Sequence, residues 1–591
     1  MLDNDITLSH RRLGGFGLSA GLLMLSCLLP LLTAAADQTT AYQADMPKSI
    51  IDLQQFRQTT SLAIVGLGGN PGQATLMQLN PRVNAWSLLT LDWGTHGGRF
   101  SYHLENPEPR EQHIGLADAR SVMITRGNNS VTCDLWVGGT SSPLEQARRS
   151  ALPYAPLCGG RLYLRNPTRG NYTKLEKTTG FLRQYVWGGE QIIGFVREQF
   201  FRDKFLEKGK GDSEISANAS ASPTAPLAAV INPKDDERAF SPEHLGIDLG
   251  KATTSLVPGR WYSAAGVAGV YVSLIQPQAI AAEVLDSYRG KVNKLDTVEA
   301  AALDYLIAFD LEQFDLGFAL GTEHSSLGWS ERTLESVRDP KLPGPDGIDS
   351  AVPLVRSGML NPALAANTVA TFTGGFKRQH GAFHYGPLAQ RNHGSHYGFV
   401  EQGVVFSKLQ PGLATLYVLD DGSVDMKTWS KQDDALLAHI KHARQNGVAL
   451  LDYDQATART VPGALVTHWG AGNWSGSSDE KLRALRAGAC LQQTPTKRFL
   501  IYGYFSSATP SAMARVFQAY NCHYAMHLDM NALEHTYLAL YRQNGNRVEV
   551  QHMITGMEQV DKKVASQLLP RFVAYPDNRD FFYLIRHGKQ P

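Results

Sequence analysis

The sequence predicts an α+β chain built from a mainly β domain over residues 37–205, a flexible linker over 206–243 and an α+β domain over 244–591. Three observations lead to this reading. At 591 residues the chain is too long for one hydrophobic core. The run Gly209–Pro226 is rich in Ser, Ala, Gly and Pro and is followed by the charges of Lys234–Arg238, a composition that cannot bury enough apolar area to order itself. The pattern then changes, from short punctuated apolar runs before the linker to hairpins and strand–helix–strand units after it.

In the first domain, Ser61–Leu67, Trp86–Trp93, Ser121–Thr125 and Arg161–Leu164 read as strands and Leu144–Ser150 as a short helix. Gly66–Gly72 is similar to a dinucleotide loop, but Pro71 and the lack of a following helix favour a structural turn. No chemistry is legible in this domain, and no cofactor is expected. In the second domain, Gly269–Ile275, Phe314–Leu320 and Val369–Phe372 read as strands. Asp296 and Glu299 form a capping-box start to a helix through Ala300–Phe309. Thr415–Leu419 and Ser423–Trp429 flank Asp420-Asp421-Gly422 as a hairpin, and a helix runs from Asp434 to Gly447 before a strand at Val448–Asp452. Arg498–Phe505 is a strand, Thr509 caps a helix with Pro510 at its first position, and Tyr524–Asp529 is the next strand.

The N-terminus has the parts of a secretory signal over 1–36: Arg11 and Arg12, a Leu-rich stretch to Leu32, then Ala34–Ala36 before Asp37. A retained membrane anchor and lipidation at Cys27 are the alternatives. A periplasmic or secreted protein is therefore expected. Beyond Cys27, the chain holds Cys133, Cys158, Cys490 and Cys522. An even number in an oxidising compartment reads as disulfides, and proximity favours Cys133–Cys158 and Cys490–Cys522 over the two other connectivities or four free thiols. The net charge of +1 excludes a global nucleic-acid footprint.

Three segments could carry chemistry. After the turn Thr373-Gly374-Gly375-Phe376 come Lys377, Arg378, His380, His384, Arg391, His393 and His396, so four of the chain's 18 histidines fall in one glycine-rich basic loop. Glycines let backbone N–H groups approach a ligand, and Lys and Arg hold anions. The loop suits a phosphate or acidic glycan, with Arg378 and Arg391 as the bidentate cations. A metal site or a solvated loop are the other readings. On the Tyr524–Asp529 strand, His527 and Asp529 share a face about 7 Å apart, with Glu534 and His535 close behind. A carboxylate at a strand end can act as acid, base or orienter, or can simply bond the next loop. In His468–Gly476, Trp474 could offer its ring to a sugar or belong to the core.

These segments, in this order, resemble the phosphodiester glycosidase family over residues 266–545. The family has an Asn-Gly-Gly-Phe turn after a strand, matched by Thr373–Phe376. It has a glycine-bounded strand pair, similar to Gly398–Gly403 with Thr415–Trp429. It ends in a strand, a helix and a strand closing on Leu-Asp-Gly-Gly-Gly-Ser, matched as far as Leu528-Asp529. Thr373 stands where the family has Asn, and Met530, Asn531, Ala532 and Leu533 replace the terminal Gly-Gly-Gly-Ser. The resemblance implies hydrolysis of a phosphodiester-linked or anionic glycan of the cell envelope. Asp529, His527 and Glu534 would be catalytic, and Thr373, Gly374, Gly375, Lys377, Arg378, His384, Arg391, His396 and Trp474 would bind substrate. The rivals are a non-catalytic glycan-binding or envelope-assembly protein and a metal-dependent hydrolase.

Overall fold

Strong apolar runs, several of them buried on both faces, set the architecture of the computed structural model. It describes residues 47–587 except 67–68, 138, 186–202, 210–223, 252, 325, 332, 379–382, 384–387, 390–396, 468–480, 545–546 and 566, with backbone alone at 96 and 180–185. From Pro47 onward the chain forms one compact unit.

An eight-stranded sheet lies at its centre, in the order Tyr262–Ser263, Val270–Ile275, Asp304–Asp310, Arg498–Ala508, Ala484–Gln493, Cys522–Met530, Ala449–Asp454 and Arg459–Pro462. Every neighbouring pair is antiparallel. The Ala484–Gln493 strand sits between Arg498–Ala508 and Cys522–Met530, so those two run parallel and need the crossover helix Pro510–Ala519. Thr509 caps that helix through its side chain, with Pro510 in the first turn, as expected. A five-stranded sheet holds Phe314–Ala319, Phe581–Arg586, Thr368–Thr373, Leu538–Asn544 and Arg547–His552 in that order. A second five-stranded sheet contains the Ala414–Leu419/Val424–Thr428 hairpin. Before residue 170, a six-stranded sheet and a three-stranded sheet (Gln112–Leu116, Ser121–Arg126, Asn129–Asp134) share one apolar core that includes Ile64, Leu89, Leu104, Ile114 and Ile124.

The chain is therefore β-rich with few helices, rather than evenly α+β. Two expected helices are strands. The capping box of Asp296 and Glu299 forms, but its helix spans only Thr297–Ala300. Tyr305–Phe309 instead fills a central strand, because its continuous apolar residues are buried on both faces. The Asp434–Gly447 segment gives a 3₁₀ turn, Lys431–His439, and then the strand Ile440–Gln445. Its Ala, Lys and Arg favour helix locally, but Arg444 is drawn into a buried ion pair and Gln445 bonds neighbouring backbone, so tertiary contacts override propensity. Within the expected linker, residues 224–243 are packed. Leu227 N–H donates to Gln492 Oε1 at 2.7 Å, Val230 N–H to the Ala519 carbonyl at 2.9 Å, and Phe240 is fully buried.

Both expected disulfides are present, Cys133–Cys158 and Cys490–Cys522, each with Cα atoms 5.9 Å apart. The second ties two neighbouring strands and closes a loop of 32 residues. Replacing both cysteines, Cys490→Ala with Cys522→Ala, is expected to lower unfolding free energy by about 3–4 kcal/mol. Urea unfolding checks this, and a loss under about 1 kcal/mol would contradict it.

Candidate functional site

The C-terminal end of the Cys522–Met530 strand is irregular. Gly488 pairs with His527, but Arg486 pairs with Met530, so one extra residue bulges between them. The Asn446 side-chain amide donates to the carbonyls of His527 and Leu528, at 2.5 and 2.7 Å. At this bulge the two side chains expected to act together take different partners. His527 stacks on Phe376 with ring centroids 4.9 Å apart and meets Arg486 at 3.3 Å. Burial and then Arg486 push its imidazole well below the usual range. Asp529 takes different partners, accepting from Arg579 through Oδ2 and from its neighbour's N–H through Oδ1 at 2.8 Å.

The Thr373–Phe376 turn docks onto this strand end. Thr373 Oγ1 donates to the His535 carbonyl at 2.8 Å, and Gly374 N–H donates to the Asp580 carbonyl at 3.0 Å. A Cβ at Gly374 would lie 2.6 Å from Asp580 Oδ2, and Gly375 has φ +139° with Arg444 Nη1 2.7 Å from where its Cβ would be. Both positions therefore need glycine. Arg444 joins the pieces, donating to Asp580 Oδ2 at 2.7 Å and to the Phe376 carbonyl at 2.7 Å. These turn residues thus hold protein to protein and frame the site.

Lys377, next along, enters a chain of alternating charges. Its Nζ lies 3.5 Å from Glu176 Oε1, which also accepts from Arg579 Nε at 2.7 Å, and Arg579 in turn holds Asp529. Burial alone would raise the Glu176 carboxyl, but Arg579 and Lys377 outweigh it and hold the group far below the usual range. Burial, with Arg579 nearby, lowers Lys377, and burial raises Asp529 against the pull of Arg579. Lys377 keeps 20% of its side chain in solvent, so the cluster meets water through it.

Two histidines border the cluster. His535 Nδ1 lies 2.9 Å from the Met530 carbonyl. A carbonyl can only accept, so Nδ1 carries the proton and Nε2 is a lone pair. That Nε2 is buried with no hydrogen-bond partner among the described residues, and burial and Arg579 push the ring well below its usual range. His324 contacts Asp580 through Nδ1, and its Nε2 has no partner among the described residues either. Burial would raise Asp580, but Arg444 and His324 outweigh this and keep it a carboxylate. Both amide atoms of Asn578 and Thr322 Oγ1 are buried without partners among the described residues as well. Such atoms are rare in folded proteins and collect where a ligand or water is received.

Of the expected site residues, the structure gathers Asp529, His527, Thr373, Gly374, Gly375 and Lys377. Glu534 stands at the border, its carboxylate accepting from Thr173 at 2.9 Å. Arg378, expected to hold an anion, is instead fully buried against Asp346 and donates to the Ser326 carbonyl at 3.1 Å, so its guanidinium is committed to the protein. His384, Arg391, His396 and Trp474 lie outside the described residues, as does His380.

Glu176, His324, Arg444, Arg579 and Asp580 were not singled out from the sequence. Glu176 begins the Lys174–Tyr185 helix by a reciprocal cap with Thr173, at 3.1 and 3.2 Å. The Thr-x-x-Glu spacing was a readable helix start. The run Asp577-Asn578-Arg579-Asp580 directly before the apolar Phe581–Ile585 was the other signal. Among the described residues, no group of three or more His, Cys, Asp or Glu is placed to hold a metal ion. A hollow of about 350 Å³ beside Asp452, Tyr453 and Pro462 involves none of the residues above.

No family model matches the chain, and no curated protein matches it. Among solved structures, the zebrafish N-acetylglucosamine-1-phosphodiester α-N-acetylglucosaminidase catalytic domain, auto-inhibited by its pro-peptide, is 9% identical with TM-score 0.27, covering 64% of this chain and 100% of that one. A putative exported protein of Burkholderia pseudomallei is 10% identical with TM-score 0.20, covering 48% and 74%. A hypothetical protein from Synechocystis is 9% identical with TM-score 0.24, covering 88% and 98%. At these TM-scores none of the three fixes the fold or the activity of this chain.

Proposed function

We propose that the chain is an exported hydrolase acting on a phosphodiester-linked or otherwise anionic glycan of the cell envelope. The observation that carries this is the meeting of the Thr373–Lys377 turn and the Asp529 strand end around one buried charge chain, bordered by the lone pair of His535. Two formed disulfides agree with an oxidising compartment, and among the described residues no helix is long and apolar enough to cross a membrane.

In this reading Lys377, with Arg579 behind it, holds the anion, and Asp529 and Glu176 hold Arg579. Water attacks the anomeric carbon as the bond to the phosphate oxygen breaks. The water proton passes to His535 Nε2, and the phosphate departs as an anion beside Lys377, needing little acid assistance. The second reading is a glycan-binding protein without catalysis. The burial of His535 favours it, because burial and then Arg579 hold the proton acceptor of the first reading well below its usual range.

UDP-glucose, whose anomeric carbon is joined through oxygen to a diphosphate, separates the two, because the hydrolase releases glucose from it and the binding protein only binds it. Lys377→Met is expected to weaken its binding about tenfold by calorimetry, equivalent to roughly 1.4 kcal/mol. Unchanged affinity would remove Lys377 from the site.

A further inference from the structure

Sheet edges present unpaired N–H and C=O groups to any passing chain, and natural proteins blunt them with charge, proline, shortness or cover. Among the described residues, nearly every sheet edge carries such a device. Arg547–His552 has Arg547 and Glu549, Val424–Thr428 has Asp425 and Lys427, and Asn129–Asp134 ends in Asp134. Arg459–Pro462 has both a charge and a proline, Tyr154–Leu157 has Pro156, and Tyr262–Ser263 is two residues long. Phe314–Ala319 carries Asp315, ion-paired with Arg110. In the two-stranded sheet, Lys562–Val564 has two lysines and its partner is three residues long.

The two remaining uncharged short edges are covered. Gln54 bonds both the N–H and the carbonyl of Val405, at 2.9 and 2.7 Å, as a neighbouring strand would. On Gln112–Leu116, side-chain amides of Gln78, Asn84 and Asn106 take the carbonyls of Ile114 and Gln112.

Among the described residues, the strand Gln58–Val65 has none of these devices. It is the outer strand of the six-stranded sheet, eight residues long, with the sequence Gln-Thr-Thr-Ser-Leu-Ala-Ile-Val. It carries no charge and no proline, and its partner strand Pro71–Gln78 carries no charge either. Among the described residues, its one ladder is with that partner. Six of its eight residues are exposed, Val65 at 61%.

We propose that Gln58–Val65 is an interface strand, pairing antiparallel about a two-fold axis with the same strand of a second copy of this chain. A foreign partner is usually selected by complementary charge, and this hairpin offers none. A second copy meets no like-charge repulsion here, and the pairing sets the Ser and Thr face of one strand beside the same face of the other. An isologous pair of this kind closes on itself and leaves no growing edge. Eight residues span about 27 Å, enough for a full ladder, but a strand pair alone makes a small interface, so the dimer is reversible in the micromolar range.

Sedimentation velocity of the full chain across low-micromolar concentrations tests this. The wild type is expected to shift with concentration from 64.7 kDa toward twice that mass. Ser61→Lys with Ala63→Lys places charges on two exposed positions and is expected to raise the dissociation constant at least tenfold with an unchanged thermal midpoint. Val65→Lys, at the most exposed position, serves as an independent variant should the double change disturb the sheet. A wild type that stays monomeric throughout, or a dimer that persists undiminished in folded lysine variants, overturns the proposal.

Discussion

Glu176→Gln is expected to destabilise the protein by about 3–5 kcal/mol, the range for breaking a buried ion pair by removing one partner. Glu176 is the shared anion between Arg579 and Lys377, so the change leaves two cations with one carboxylate, Asp529. The pH dependence gives an independent check. The Glu176 carboxyl is held far below its ordinary value of 4.5, so its contribution is complete above that value and is lost as the pH falls below it. The wild type should therefore lose more stability than the variant in acid. Urea unfolding at pH 7 and at pH 4 measures both, and parallel losses in the two proteins would contradict the assignment.

His535→Asn is expected to lower kcat on a glycosyl phosphodiester by about 10²- to 10⁴-fold, the usual contribution of a positioned proton acceptor. The asparagine amide can still donate to the Met530 carbonyl, as Nδ1 does, but it has no Nε2. Stability should stay within about 1 kcal/mol of wild type and KM should change little. A purely structural histidine would instead lose stability with no split between kcat and KM. Equal kcat in variant and wild type would remove His535 from the chemistry.

Local signals were legible wherever sequence and tertiary contacts agreed. Thr509 caps its helix as its position suggests, the Asp420–Gly422 hairpin forms, and both disulfides follow from cysteine spacing. The failures share one cause. Tyr305–Phe309 and Ile440–Gln445 contain good helix formers, and only the buried sheet around them decides otherwise.

The candidate site was half legible. Asp529 and the Gly374–Gly375 turn could be read because glycine and a strand-end carboxylate are local marks. Their partners could not, because Glu176 lies 403 residues from Arg579. The strand that carries His527 and Asp529 holds a bulge that no residue in it announces. Glu176, in the region before residue 205 where no chemistry was legible, places its carboxylate at the centre of the charge chain.

The most direct test of the proposed function is release of free glucose from UDP-glucose by the full chain, followed together with binding of the same compound. Hydrolysis predicts glucose and UDP in equal amounts, lost in His535→Asn and reduced at low substrate in Lys377→Met. Binding that depends on Lys377 with no glucose released would contradict the hydrolase and leave a glycan-phosphate binding protein. No binding at all would contradict both.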